Sequence, residues 1–336
     1  MKFLTLLLAI LLSATQAVQA QEHDIQKDFQ AFNHLDFSVN IGTTGVGFDI
    51  AAPFGEYVQF RTGLEFMPNF EHKMHFDIQS FDDQGNILES KLDKLSATMR
   101  DLTGYHVDGT IDMIGKPSFW NFKFLVDVFP FRNKHWHFTA GIHWGPSRIA
   151  EAYNTTEDAP SLFAVGMYNH LYQIAWNNYN GIDTPLITYG DGEAVYLDPS
   201  IEERLRNYGR MGIHVGNYKK DIVDAEGNVI HKKGEPYRME PNDDSMVKAH
   251  AEVNSCKPYL GFGYGGRLFR GDDKYHISFD CGLLFWGGTP NVITHDGTNL
   301  SKDVEDINGK VGRYVDLLSS VKAYPVLNLR ITRRLF

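Results

Sequence analysis

Four histidines stand where strand geometry could bring their rings together. His135, His137 and His143 share one parity of the segment 135–145, and His276 lies on the polar parity of a second segment. Imidazoles two residues apart on a strand can offer two ligands to zinc, which needs three or four converging donors. The same residues better suit a polar, hydrogen-bonded interior, where each ring bonds to its neighbours. Asp82-Asp83 and Asp243-Asp244 are acidic pairs without the spaced ligands of a calcium loop, so they read as solvated turns. Ser147 near His143, and Ser301 near His295, could form nucleophile–base pairs, but nothing positions a third group. The chain has no Gly-flanked nucleophile serine and no phosphate-binding glycine loop followed by Lys and Ser or Thr. No residue is therefore assigned to catalysis, to a cofactor or to a metal, and no cofactor is expected.

The elements that would hold these residues are strands. In 274–287 the apolar residues Tyr275, Ile277, Phe279, Cys281, Leu283 and Phe285 alternate with His276, Ser278, Asp280 and Gly282. In 135–145 Trp136, Phe138, Ala140, Ile142 and Trp144 alternate with the histidines, Thr139 and Gly141. Segments 120–128, 58–66 and 260–265 repeat the pattern, and 324–335 closes the chain with another. A period of two marks strands with one apolar and one polar face. The polar faces carry Arg61, Glu65, Lys123, Asp127, Arg267, Asp280 and Arg330 together with glycine. That mixture suits an enclosed polar interior with the apolar face turned to lipid, and Arg61, Lys123, Arg267 and Arg330 are expected to pair there with Asp49, Glu65, Asp127 and Asp280.

Short connections (53–56, 130–134 and 270–273) alternate with long ones (71–109, 152–246 and 288–320). Outer-membrane barrels have this rhythm, with short periplasmic turns and long outer loops. Seven segments can be counted, and seven is odd. In 35–52 the apolar parity slips at Gly42-Thr43-Thr44-Gly45. Either a bulge bends one long strand there, or a tight turn separates two short strands. The turn gives eight strands with both termini on the turn side, and a strand hidden in the long insertion would also restore an even count.

The opening Met1-Lys2-Phe3, the apolar run 4–12 and Val18-Gln19-Ala20 have the form of a secretory signal over 1–20, giving a mature chain from Gln21. The barrel then occupies 21–336, with an ordered insertion at about 152–246. Aromatic residues make up 13% of the chain, glycine contributes 31 residues, and the net charge is −10. The aromatics suit girdles at two lipid–water interfaces, and the acidity disfavours nucleic acid as a partner. Cys256 and Cys281 are the only cysteines. A hairpin centred on 270–273 sets Cys281 opposite Phe262 and Cys256 six residues further on, roughly 20 Å away, so both thiols are expected to be free.

Ser38-Val39-Asn40-Ile41-Gly42-Thr43-Thr44-Gly45-Val46-Gly47-Phe48-Asp49 resembles the opening of porin-like outer-membrane β-barrel proteins of Gram-negative, Bacteroides-like bacteria. The runs 258–265, 279–285 and 324–329 resemble their later hairpin and final strand. The resemblance covers about the strand half of the chain. It implies fold and address but no catalytic residue, because most such proteins lack a known activity. One departure is that Phe336 shares parity with Arg330 and Thr332 rather than with Leu329 and Ile331.

The insertion has order of its own. Phe163, Met167, Leu171 and Ile174 lie at helical spacing in 160–179, with Gly181 as a stop. Asp198-Pro199 opens a short helix, 213–223 and 229–238 flank a hairpin turn at 224–228, and 92–102 reads as a further helix. The fold class is thus all-β: a transmembrane antiparallel up-and-down β-barrel of eight strands, within a range of 8–12, bearing long, partly helical outer loops. The function expected is a non-enzymatic outer-membrane barrel with a filled lumen and loops that bind or brace. The alternatives are a diffusion porin for small solutes, and an outer-membrane lipid hydrolase or acyltransferase. Expected partners are outer-membrane lipid and lipopolysaccharide, the barrel-assembly machinery and an unknown extracellular ligand.

Overall fold

The computed structural model describes residues 32–82, 86–88, 96–97, 100–101, 104, 109–307 and 309–335. Eight strands close into an antiparallel barrel in chain order. They are β1 (Asp36–Gly42), β2 (Gly45–Pro53), β3 (Val58–Phe66), β4 (Trp120–Val128), β5 (Trp136–Trp144), β6 (Cys256–Phe269), β7 (Asp272–Phe285) and β8 (Ala323–Arg334). β8 returns to β1, pairing Arg334 with Asp36 and Asn328 with Gly42. The phase slip at 42–45 is a turn, because Gly42 pairs with Gly45 and Thr43-Thr44 form its tip. Gly45 sits at φ 106°, and a Cβ there would strike the Phe66 carbonyl, so only glycine suits the position.

Three short connections (54–57, 129–135 and 270–271) lie at one end, the turn end. The Thr43-Thr44 turn and the three long connections lie at the other, the loop end. The outward faces expose Phe122, Phe124, Phe138, Phe262, Leu329 and Ile331, while the alternate residues are buried. Aromatic pairs bound this belt: Trp120 with Trp144 at the loop end, 6.1 Å between ring centroids, and Trp136 with Tyr264 at the turn end, 5.0 Å. The steps from Trp136 to Trp144 along β5 span roughly 26 Å, or about 20 Å of membrane depth at the usual tilt.

Above the belt the wall is cut away on one side. Strands β3 to β7 each continue, after a short break, into a five-stranded sheet. Its strands are His72–Asp77, Thr110–Pro117, Arg148–Asn154, Lys248–Glu252 and Asn291–Thr294, in the same order as the barrel strands they extend. β1, β2 and β8 have no such extension. A second sheet is centred on Arg210–Tyr218, which pairs with Pro236–Met239, Val304–Glu305 and Gln79–Phe81. Helices α1 (Ala159–Tyr179), α2 (Pro199–Tyr208), α3 (Leu300–Asp303) and α4 (Gly309–Ser320) complete this outer domain. Its own core joins Ile111 and Met113 of the first sheet, Val165 and Tyr168 of α1, and Ile213 and Val215 of the second sheet.

The expected helix 160–179 is present as α1, and half of the set read from spacing is inward: Ile174 is buried and Leu171 packs against the core, whereas Phe163 and Met167 are exposed. The rest of the inward stripe is Leu162, Val165, Tyr168, Tyr172 and Ala175. The reason is hydrogen bonding. Asn169 Nδ2 donates to the Met211 carbonyl, its Oδ1 accepts from Met211 N–H, and Tyr168 donates to the Gly209 carbonyl. These polar tips rotate the helix towards the second sheet. Helix α2 starts as expected, with Asp198 Oδ1 accepting from Ser200 N–H and Pro199 in the first turn. The hairpin turn at 224–228 is also present, with Asp224 accepting from Asn228 N–H. Of the expected helix 92–102 only 96–97 and 100–101 are described, and these are helical; the signal 1–20, Asp83 and Phe336 fall outside the described residues.

Candidate functional site: the barrel interior

Alternation along β2 to β8 points charged side chains into a barrel whose bore is one side chain deep. Asp49, Glu65, Asp127 and Asp280 face Arg61, Lys123, Arg330 and Lys257, and each of these is less than one-tenth exposed. Arg61 grips Asp127 with two donors, Nε to Oδ2 at 2.9 Å and Nη2 to Oδ1 at 2.8 Å. Its Nη1 lies 3.6 Å from Asp49 Oδ2. Lys123 Nζ is 2.7 Å from Asp49 Oδ1 and 3.7 Å from Glu65 Oε2. Arg330, on the far wall, reaches Asp280 at 3.4 Å and Asp127 at 3.7 Å.

Neutral groups take up carboxylate lone pairs that the cations do not reach. Asn40 Nδ2 donates to Asp49, Thr44 and Asn121 donate to Glu65, and Thr139 donates to Asp127. Lys257 donates to Asn121 Oδ1 at 3.1 Å and has carbonyl acceptors in Pro146 and Ser255. Charge balances as four against four, which a low-dielectric interior requires. Glycines on the same face make room, since a Cβ on Gly282 would lie 2.5 Å from the Tyr259 hydroxyl. Nearer the loop end, Tyr259, Leu284 and Val326 form an apolar layer, against which Leu318 and Val321 pack.

The histidines read from sequence as a possible ligand set do not converge. His137 Nε2 lies 2.7 Å from Asp280 Oδ1, His143 Nδ1 lies 2.8 Å from Glu65 Oε1, and His135 Nδ1 lies 2.7 Å from the Gly265 carbonyl. His276 faces the turn end beside Arg267 and Thr332. Ser301 donates to the Pro290 carbonyl while the His295 ring contacts Lys248, so these two do not form a pair. Asn242, not Asp243 or Asp244, organises its turn by accepting from Asp244 and Met246. Asp82 accepts from Asn86. Of the four cations expected in the lumen, Arg61, Lys123 and Arg330 are there. Arg267 is not: it stands opposite His276 near the turn end, half open to solvent, and pairs with Asp273 rather than with the buried carboxylates. Lys257 holds the place of fourth cation, and its inward parity with Tyr259 in β6 was the signal for it. Both cysteines are free, and Cys281 pairs with Phe262 in register as expected.

Two concavities flank the network. At the turn end a cavity of about 620 Å³ opens between the strands. On the outer domain a groove of about 490 Å³ is lined by Arg238, His231, Glu235 and Asp243. Burial pushes the Arg238 guanidinium below its ordinary value, and burial also raises the Tyr218 hydroxyl beside it to about 12.

No family model matches the chain, and no curated protein matches it. Among solved structures it is similar to CarO2 of Acinetobacter baumannii, 12% identical with a TM-score of 0.36, over 91% of this chain and 99% of that one. CarO of the same organism gives 11% and 0.36 over 92% and 99%. A major outer membrane protein from Thermus thermophilus gives 10% and 0.25 over 89% and 98%. Likenesses this distant carry no argument. The chain's own geometry does: a closed barrel with an apolar belt between aromatic girdles spans lipid, and the outer membrane is where such barrels reside.

Proposed function

We propose that the barrel is a closed membrane anchor and that the outer domain it carries does the binding, without catalysis. The observation behind this reading is the interior network, in which Arg61 and Arg330 tie Asp127 to Asp49 and Asp280 across the bore. Such a network sets paired charges across the path an ion would take. The long loops face the outside and the short turns the periplasm, as in barrels of this kind. The outer domain then stands among lipopolysaccharide head groups, with its exposed groove available to an extracellular ligand. Insertion depends on the barrel-assembly machinery, for which β8 supplies the terminal strand.

Single-channel recording in planar bilayers tests the reading. Purified folded protein is expected to give no steady current. Long-lived open channels of large conductance would overturn the closed anchor and establish a diffusion porin instead. A lipid-modification assay on the same protein should show no acyl transfer or hydrolysis, since His143 Nε2, the atom that would take a proton from a serine, has no hydrogen-bond partner among the described residues.

A further inference from the structure

We propose that the turn-end cavity is a binding site for a small phosphorylated solute. Its volume, about 620 Å³, is that of a small-molecule site. One wall is built from the inward faces of β6, β7 and β8, where Arg267, His276 and Thr332 pair in register across three strands. Arg334 stands one inward position beyond Thr332 on the same strand. Five cations, Arg132, Lys134, Arg267, Arg330 and Arg334, line the cavity against three carboxylates, Asp36, Glu56 and Asp273, the last paired with Arg267. Asp36 is shared by Gln59 Nε2 at 3.2 Å, His34 at 3.6 Å and Arg334 at 3.6 Å.

The Arg334 Nε holds Asp36 only at ion-pair distance, with no hydrogen bond among the described residues, and the rest of the guanidinium side chain is half open to the cavity. Lys134 lines the same mouth and is exposed. The floor is Arg330, which is 6% exposed and donates to Ser278. The opposite wall, from β2 to β4, carries the apolar Ala51, Pro53, Val58 and Phe129.

A phosphate fits the donor wall because its accepting oxygens and double charge engage several cationic donors at once. The apolar wall leaves room for an uncharged organic body. The site lies below the ion-paired network, so it is reached from the turn end alone and involves no passage through the barrel.

Titration calorimetry on the full folded chain in detergent tests this, with glucose 6-phosphate, glucose, inorganic phosphate and succinate as probes. Glucose 6-phosphate is expected to bind saturably, inorganic phosphate more weakly, and glucose not at all. Replacing Arg334→Gln together with Lys134→Gln should weaken glucose 6-phosphate binding by about tenfold or more. Heat-modifiable gel mobility would verify that the variant stays folded, and Lys134→Gln alone should show a smaller loss if the pair does not fold. No saturation by glucose 6-phosphate, equal affinity for succinate, or binding indifferent to both variants would each overturn the site. An open pore would leave this wall intact, so failure here is separable from failure of the closed anchor.

Discussion

Asp127 is the residue on which the interior turns. It accepts two hydrogen bonds from Arg61 and one from Thr139, and it lies within ion-pair distance of Arg330. Replacing Asp127→Asn keeps the shape but leaves Arg61 buried without its main counter-charge. Breaking a buried pair from one side costs about 3–5 kcal/mol. The urea midpoint of the folded barrel, followed by gel mobility, should fall accordingly, and an unchanged midpoint would show that the network contributes nothing to stability. The identities of these pairs were only half legible in the sequence. Parity alone told that Arg61, Lys123 and Arg330 point inward. It could not tell that Arg267, at the same parity, lies near the turn end of β6, where solvent reaches it and Asp273 is its partner. Parity also offered Lys257 as an inward cation, but whether it is buried depends on how far β6 extends towards the loop end.

At the scale of elements, the lipid-facing strands were the most readable part. Their exterior meets one uniform solvent, so the period-two signal is undiluted. Leu283, exposed on β7 between Phe279 and Phe285, belongs to that face. Leu283→Arg should cost about 2–4 kcal/mol if it lies near the midplane. Leu283→Ile should cost under about 1.5 kcal/mol. Refolding yield into bilayers would compare the two, and equal yields would remove this face from the lipid. The five outer strands were not readable, since they are short and mix Ala with charge, as in Lys248–Glu252. The face of α1 was half misread, with Ile174 and Leu171 inward as the spacing implies, because Phe163 and Met167 look like core and are exposed while Asn169 does not and is buried. Asn169→Ala would strip the partners from both backbone groups of Met211, at about 1–3 kcal/mol for each group left unpaired. The outer domain should then be cut faster by protease while the barrel keeps its heat-modifiable mobility.

At the scale of the whole molecule, the two halves are held by different forces and should fail differently. The outer domain relies on its apolar core and on hydrogen-bonded carboxylates such as Asp296. Partial desolvation pushes the Asp296 carboxyl up, but donation from Thr294, Thr298 and Tyr237 outweighs it and leaves it below the ordinary 3.8. A depressed carboxylate stabilises the fold above its unfolded value, and that stabilisation is lost as pH falls through the folded value. Near-ultraviolet circular dichroism should therefore show the outer domain loosening below about pH 4, less steeply in Asp296→Asn. An acid response identical in both would remove Asp296 as a contributor. The barrel's closing ladder has a different consequence, which concerns the order of assembly. β1 meets β8 across nearly the whole length of the chain, the least local contact in the fold, and contacts of that kind form late. Arg330 arrives with β8. Until that strand docks, Asp280 and Asp127 wait without it, so the last step of folding brings a missing positive charge to two carboxylates already in place.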